Sequence, residues 1–355
     1  MDKKSLPLWR LVVAVMASAS LLFTAVGAEA KTRTHKTVSV KKQKQSYALK
    51  TSKKSSVKLS SRQQARYAKA QKNRSARLAR SSAAQLQTVS WIPAEDSFQL
   101  DGPSLIATTA MAYNEKTGAI DFGKNTEHVV SIASITKLMT VMVILDAKLD
   151  LDEMIVMTQD DVDASQGSRS RLQVGYALTR ADLIKIAMLV SDNRAAVALA
   201  RTYPGGSEAF VDRMNRKARS LGMAQSRFTE PSGLDPLNSA SPSDIVRLVQ
   251  AAYEYPLMRT ISATAEEDIF PLGSLAPITF RNTNQLVRDP AWEIGISKTG
   301  FIGKAGHCLV MHVQIANTPY VLVVMDSSGN RSREADAARI KRWLEYKAGI
   351  HSSSS

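Results

Sequence analysis

The feature that most constrains this 355-residue chain is a serine and a lysine placed three residues apart at the head of an apolar run. Ser134-Ile135-Thr136-Lys137 precedes residues 138–145, of which only Thr140 is polar. If this run is a helix, Ser134 and Lys137 lie on one face with hydroxyl and amine within hydrogen-bond reach. A lysine can activate a serine in this way without a histidine. The tetrad alone is common by chance, so the prediction depends on partners further along the chain.

Two further short motifs follow the tetrad. Ser191-Asp192-Asn193 lies at a predicted break between two helical segments, and Lys298-Thr299-Gly300 closes a strand-like run. Each motif alone is typical of an ordinary polar loop or strand end. Together, in this order and on the expected helix, loop and strand, the three motifs are the signature of the penicillin-binding and serine β-lactamase families.

The residue types in these motifs fit an acyl transfer. Ser134 is predicted to accept the acyl group, and Lys137, desolvated beside other cations, to take the hydroxyl proton. Ser191 would pass a proton to the departing amine, while Lys298 would add positive charge near Ser191. Asn193 would bind the substrate amide and orient Lys137. The predicted catalytic residues are therefore Ser134, Lys137 and Ser191.

The end of the third motif is predicted to bind substrate. Thr299 would bind a substrate carboxylate, and Gly300, which has no side chain, would let an extended ligand lie against the strand. The backbone N–H groups of Ser134 and Phe301 would form the oxyanion hole. With Asn193 and Lys298, these residues make up the predicted substrate-binding set.

Other chemistries have little support in the sequence. There is no G-x-S-x-G motif, and the five histidines show no metal-ligand spacing, so we predict neither a metal nor a cofactor. Cys308 is the only cysteine and has no partner within the chain. His307 and Cys308 are neighbours on a predicted strand and point to opposite faces, which excludes a dyad between them. His307 and His312 are predicted to be structural.

The first thirty residues are predicted to be a signal peptide. Lys3, Lys4 and Arg10 precede an apolar stretch at 11–26, and Ala28-Glu29-Ala30 fits a small-x-small cleavage site. We therefore expect export, with cleavage after Ala30. An uncleaved membrane anchor is the alternative.

A basic arm is predicted at residues 31–90. Residues 31–80 contain 17 Lys or Arg and no Asp or Glu, and so account for the formal net charge of +15, because residues 81–355 hold 27 basic and 30 acidic residues. Such a segment cannot bury enough apolar surface to order itself, and we predict disorder. The arm either binds an anionic wall polymer or lipid surface or is a solvated spacer. Nucleic acid is not an expected partner of an exported chain.

The order of predicted elements indicates the fold class. Two strands at 105–113 and 119–122 form a hairpin, and the tetrad helix follows. Further helices are predicted at 180–189, 194–201, 207–221, 243–253 and 334–346, and late strands at 292–299, 306–315 and 320–325. Strands at both ends with helices between them predict an α/β (α+β) fold, an antiparallel sheet flanked by helices. We place the catalytic domain at 91–350 and a Ser-rich tail at 351–355.

Residues 106–346 resemble the low-molecular-mass penicillin-binding proteins of the serine D-Ala-D-Ala peptidase family, and most of all its endopeptidases of the penicillin-binding protein 7 type. The resemblance is carried by residues 131–140, 193–196, 203–206, 228–234, 298–301 and 305–311. It implies a DD-peptidase/β-lactamase-like sheet with an all-helical subdomain. It also implies a periplasmic DD-endopeptidase that cuts D-Ala-diaminopimelate cross-links between peptidoglycan stem peptides, with β-lactam antibiotics as covalent inhibitors.

Three alternatives stay open on the sequence. A class A β-lactamase needs a further carboxylate, and Glu230-Pro231 lies at a suggestive distance after Ser191, but the expected Asn is missing and Asn238 is the nearest. A DD-carboxypeptidase would often carry a β-rich domain and a C-terminal amphipathic anchor, which are not expected here. A non-catalytic wall-binding protein would not need the intact tetrad.

Overall fold

The computed structural model describes residues 102–329 and 331–349. The predicted signal peptide at 1–30, the basic arm at 31–90, the first residues of the predicted catalytic domain and the Ser-rich tail at 351–355 lie outside the described residues. Within the described ranges, no helix combines the length and apolar character that a membrane crossing requires.

The strands of the described part are β1 Thr109–Asn114, β2 Ile120–Lys124, β3 Val130–Ser131, β4 Met154–Val156, β5 Ala177–Thr179, β6 Ser239–Ala240, β7 Glu266–Ile269, β8 Ile278–Arg281, β9 Glu293–Ile302, β10 Gly306–Ile315 and β11 Thr318–Ser327. Five of them form a central antiparallel sheet in the order β2-β1-β11-β10-β9. The hairpin of β1 and β2 thus pairs, through β1, with β11 at the end of the β9-β10-β11 meander. Strands β3 with β6, β4 with β5, and β7 with β8 form three small two-stranded sheets.

Most helices lie between β2 and β9 in the chain. We call Thr136–Asp146 the tetrad helix and Ser332–Lys347 the last helix. The others are Gln159–Ala164, Arg180–Leu189, Asn193–Arg201, Gly206–Ser220, Pro242–Tyr253 and Pro256–Ser262, with short 3-10 turns at Ala133–Ile135 and Gln285–Arg288. The sequence did not predict Gln159–Ala164 and Pro256–Ser262, which are too short for an apolar period to show. The predicted fold class, an antiparallel sheet flanked by helices, is confirmed.

The two faces of the sheet are covered differently because side chains alternate along each strand. Val321 and Val323 of β11 belong to one apolar cluster with residues of the tetrad helix. Leu322 and Val324 belong to a second cluster with residues of the last helix. The tetrad helix is buried from its first residue through Ile144, so it lies inside the core and has no solvent-facing stripe over that length. This burial holds the tetrad in one position.

The third motif lies differently from our prediction. Lys298-Thr299-Gly300 was expected to close a strand, but β9 continues to Ile302. The strand goes on because β10 pairs with it up to the connecting turn, with Gly300 opposite Cys308 and Phe301 opposite His307. The motif is therefore within an edge strand of the central sheet, and its side chains alternate between two directions.

Candidate active site

Ser134 lies on a tight turn at the start of the tetrad helix. The preceding residue, Ala133, has a φ of +45°, a left-handed conformation that is uncommon for residues other than glycine. The Thr136 hydroxyl donates to the Ala133 carbonyl oxygen at 2.8 Å, which ties the turn to the helix. Lys137 Nζ donates to Ser134 Oγ at 2.9 Å. The structure thus brings together the hydroxyl and the amine of the tetrad.

The Lys137 amine is held by three oxygens. Nζ donates to Ser134 Oγ at 2.9 Å, Asn193 Oδ1 at 2.7 Å and the Ser232 carbonyl oxygen at 2.5 Å. The last two are carbonyl oxygens, which can only accept hydrogen bonds. When the amine is neutral, its two N–H bonds therefore point at Asn193 and Ser232, and its lone pair is left facing the Ser134 hydroxyl. This is the geometry of a general base.

The charge of Lys137 is set mainly by its burial. The side chain is fully buried, and this burial lowers the lysine pKa to about 7, although the nearby carboxylates of Glu230 and Asp192 oppose the shift. A buried ammonium loses hydration, which favours the neutral form. At neutral pH a large share of the amine is consequently free to accept a proton.

The second motif supplies another hydroxyl–amine pair. Ser191 is in a left-handed conformation with a φ of +61°, and Lys298 Nζ donates to its Oγ at 2.9 Å. Asp192 begins the helix Asn193–Arg201 by accepting from the Ala195 N–H at 3.1 Å. The three residues of the motif therefore have three different partners. Ser191 accepts from Lys298, Asp192 caps the helix, and Asn193 accepts from Lys137.

Lys298 is buried as well. Burial lowers its pKa well below the ordinary value, and the positive charges of Lys137 and Arg333 add to the effect. A nearby positive charge disfavours the protonated form of a second amine, and it does so more strongly in a buried site that excludes water. It is thus unfavourable for both lysines to be protonated at once.

The strand residues of the third motif have close contacts in the protein itself. Thr299 Oγ1 is 2.6 Å from Thr283 Oγ1, a partner that the sequence did not indicate. A Cβ on Gly300 would lie 3.0 Å from Ala133 Cβ and 3.1 Å from the Ser134 backbone nitrogen. The missing side chain lets β9 pack directly against the turn that carries Ser134. That Gly300 also leaves room for a ligand along the strand stays a prediction.

Glu230 has a structural role that the sequence did not predict. Its carboxylate accepts from the Ser232 N–H and Ser232 hydroxyl, both at 2.6 Å, from Asn238 Nδ2 at 2.8 Å, and from the Gly233 N–H. These bonds fold residues 230–233 into the loop whose Ser232 carbonyl oxygen binds Lys137. A carboxylate engaged in this way is not free to activate a water, so the geometry speaks against the class A β-lactamase alternative.

Arg333 and His307 complete the far end of the site. Arg333, in the first turn of the last helix, donates from Nη1 to the Gly300 carbonyl oxygen at 3.1 Å. The exposed ring of Phe301 stacks on His307, with ring centroids 4.3 Å apart. No short motif surrounds Arg333, so no signal in the sequence could have identified it. His312, in contrast, pairs with Glu115 at 2.7 Å within the sheet region.

Comparisons with known proteins agree with this geometry. The family model described as D-alanyl-D-alanine carboxypeptidase, peptidase family S11, matches residues 96–329. A D-alanyl-D-alanine endopeptidase of Pseudomonas aeruginosa is 43% identical over 241 residues, covering 68% of this chain and 78% of the relative. The Escherichia coli endopeptidase is 41% identical over 243 residues, with the same two coverages.

A solved structure shows the same fold. The Streptomyces K15 DD-transpeptidase superposes with a TM-score of 0.64 at 28% identity, over 68% of this chain and 98% of the transpeptidase. The chain belongs to the D-alanyl-D-alanine carboxypeptidase family, peptidase family S11.

Proposed function

We propose that this protein is a peptidoglycan DD-endopeptidase that cleaves the bond between D-Ala of one stem peptide and diaminopimelate of another through a serine acyl-enzyme. The observation that carries the proposal is the Lys137 amine, held by two carbonyl oxygens so that its lone pair faces Ser134 Oγ. The choice of endopeptidase is supported by two relatives of that name with identities of 43% and 41%.

Acylation begins with Ser134. Its hydroxyl gives its proton to neutral Lys137 while Oγ attacks the D-Ala carbonyl carbon and forms a tetrahedral intermediate. The backbone N–H groups of Ser134 and Phe301 bind the oxyanion, since β9 packs against the Ser134 turn at Gly300. Each such donor contributes about 3 kcal/mol to the transition state.

The leaving amine needs a proton as the C–N bond breaks. Ser191 Oγ donates it, and Lys298 Nζ, at 2.9 Å from that oxygen, restores it. The product is an ester between Ser134 and the D-Ala carbonyl. Lys137 then passes the proton that it took from Ser134 to Lys298, so that Lys137 is neutral again and Lys298 regains the proton that it lost. Water attacks the ester and gives a proton to Lys137, which returns it to Ser134 Oγ as the tetrahedral intermediate collapses. The peptide leaves as a carboxylic acid, which ionises to the new carboxylate.

Groups around the Ser134–Lys137 pair bind the substrate. Asn193 binds the substrate amide and keeps Lys137 in place. Arg333 reaches β9 from the last helix and donates to the carbonyl oxygen of Gly300, the residue after Thr299. A hydroxyl and a guanidinium that both meet this part of the strand suit the carboxylate next to the scissile bond. The same groups explain why a β-lactam, which also carries a carboxylate beside its amide, would acylate Ser134.

The location and the arm belong to the proposal too. Export to the periplasm is supported by the basic, apolar and small-residue pattern at 1–30. The substrate is a periplasmic polymer, which fits an exported enzyme. The basic residues at 31–80 would hold the enzyme near an anionic wall or membrane surface through charge attraction.

We expect acylation to depend on pH through Lys137. Burial lowers the pKa of this lysine to about 7, and only its neutral form is a base. The second-order rate constant for acylation by penicillin should therefore be low near pH ~5, rise through about 7, and level off above about 8. Stopped-flow measurement with a fluorescent penicillin checks this, and a flat profile between pH ~6 and ~9 would contradict it.

Digestion of purified muropeptides tests the proposed function. We expect the enzyme to convert D-Ala-diaminopimelate cross-linked dimers into monomers, resolved by chromatography and mass spectrometry. Enzyme treated beforehand with penicillin is the control and should leave the dimers intact. Release of terminal D-Ala from pentapeptide monomers without any dimer cleavage would show a carboxypeptidase instead. Absence of both reactions together with absence of penicillin labelling would show a non-catalytic protein.

A further inference from the structure

An exposed aromatic pair stands at the outer end of the site. Phe301 is 57% exposed although it directly follows three residues that are almost fully buried or packed. It lies opposite His307 in the register of β9 and β10, and the rings stack with an interplanar angle of 26°. Phe301 therefore presents a large aromatic face to solvent, beside the strand that carries the third motif.

The alternation of β9 shows which way this pair faces. Lys298 points to Ser191, and Gly300 faces the turn that carries Ser134. Successive side chains on a strand point to opposite sides, so Thr299 and Phe301 share the other side. Two residues along a strand span about 7 Å. The Phe301 ring therefore lies on the same side of β9 as the hydroxyl that the proposed function assigns to the substrate carboxylate, and about 7 Å along the strand from it.

The two candidate leaving groups differ in what they would place at this point. A terminal D-Ala has only a methyl group beyond its carboxylate and its amine. Diaminopimelate has a chain of methylene groups that leads to the rest of the second stem peptide. Methylene groups gain from contact with an aromatic face, because both surfaces are removed from water.

We propose that Phe301 and His307 form an aromatic platform that binds the methylene chain of the leaving diaminopimelate and so selects cross-linked over uncross-linked stem peptides. This inference rests on the proposed function and adds the specificity of its leaving side. The platform residues act on binding of the leaving peptide, and the chemistry remains with the two hydroxyl–amine pairs.

The surroundings of His307 suit its proposed role in the aromatic platform. The charged groups near it are Arg333 and Glu334, and partial burial together with Arg333 lowers the imidazole pKa. The lowered pKa favours the neutral imidazole, which stacks on Phe301 as a flat, largely apolar ring.

The test compares two rates in each variant. One is kcat/KM for cleavage of a purified cross-linked muropeptide dimer, and the other is the rate constant for acylation by penicillin, which has no leaving peptide. We expect Phe301→Ala to lower the ratio of the first to the second about tenfold, mostly through KM, and His307→Ala to lower it about threefold. Phe301→Tyr, which keeps the aromatic face, should retain the ratio.

Ile120→Ala is the matched control, because it removes an exposed apolar side chain from β2, at the opposite edge of the sheet. Its ratio should equal that of the wild type. A Phe301→Ala ratio within twofold of the wild type, or an equal loss in Phe301→Tyr, would overturn the platform while leaving the endopeptidase assignment intact. Wild-type enzyme that takes the penicillin label but cleaves no dimer would instead refute the proposed function.

Discussion

Replacing Lys137 with methionine should lower the rate of acylation by penicillin about 10³-fold at pH ~7.5, within the range that a general base contributes. Methionine has nearly the same length and fills the same buried space, but it offers no lone pair to the Ser134 proton. It also leaves Asn193 Oδ1 and the Ser232 carbonyl oxygen without their donor. Stopped-flow labelling gives the rate, and Ser134→Ala, which has no nucleophile, sets the floor of the assay.

Lys137→Arg distinguishes two roles that Lys137 could have, that of a positive charge and that of a base. Arginine keeps a positive charge but stays protonated at any working pH. If Lys137 acts as a base, the arginine variant is expected to be as slow as the methionine variant. A variant that retains more than about a tenth of the wild-type rate would show that the charge matters and the proton transfer does not. Thermal unfolding of each variant confirms that the comparison is made on folded protein.

Replacing Gly233 with alanine should have the second largest effect. Gly233 has a φ of +85°, and a Cβ there would lie 1.9 Å from the Ala133 carbonyl oxygen and 2.8 Å from the Ser134 backbone nitrogen. Backbone atoms cannot yield as a flexible side chain would, so the loop and the Ser134 turn must separate. We expect a loss of about 2–4 kcal/mol in the free energy of unfolding. Acylation should fall about 100-fold, since a displacement near 1 Å at the nucleophile has this order of cost.

Gly167→Ala is the matched control for that variant. Gly167 has a similar φ of +68°, but no heavy atom lies within 4 Å of the Cβ it would gain. The Gly167→Ala variant therefore measures the loss in free energy of unfolding that comes from the left-handed backbone alone, about 1 kcal/mol. Denaturant unfolding and penicillin labelling of both variants measure the difference. Equal losses in the two would mean that contact with the Ser134 turn is not what requires a glycine at 233.

Much of the fold could be predicted from the sequence because it rests on local patterns. The apolar spacing of residues 180–189 predicted a helix that the structure has as Arg180–Leu189. The run at 306–315 predicted β10 with the same bounds. Such patterns report which side of an element is buried, and this is a property of neighbouring residues. The hairpin at the start of the sheet was found in the same way.

The parts that escaped prediction depend on distant residues. Arg333 reaches the site because the last helix packs on the sheet and brings its first turn to Gly300. Thr283 meets Thr299 from a segment outside any regular element. Glu230 could be noticed as a carboxylate, but only its four hydrogen bonds show that it builds a loop. None of these contacts has a spacing that a linear pattern can display.

The pairing of a nucleophile with a base can be read from neighbouring residues. The hydroxyl and amine of Ser134 and Lys137 are three residues apart, and a helix turn is enough to bring such neighbours together. How strongly the base is activated depends on residues that are distant in the chain. The lowered pKa of Lys137 needs burial in the core and partners from two other segments, Asn193 and Ser232. Desolvation and directed hydrogen bonds arise from packing of the whole chain, and for this reason no local motif can specify them.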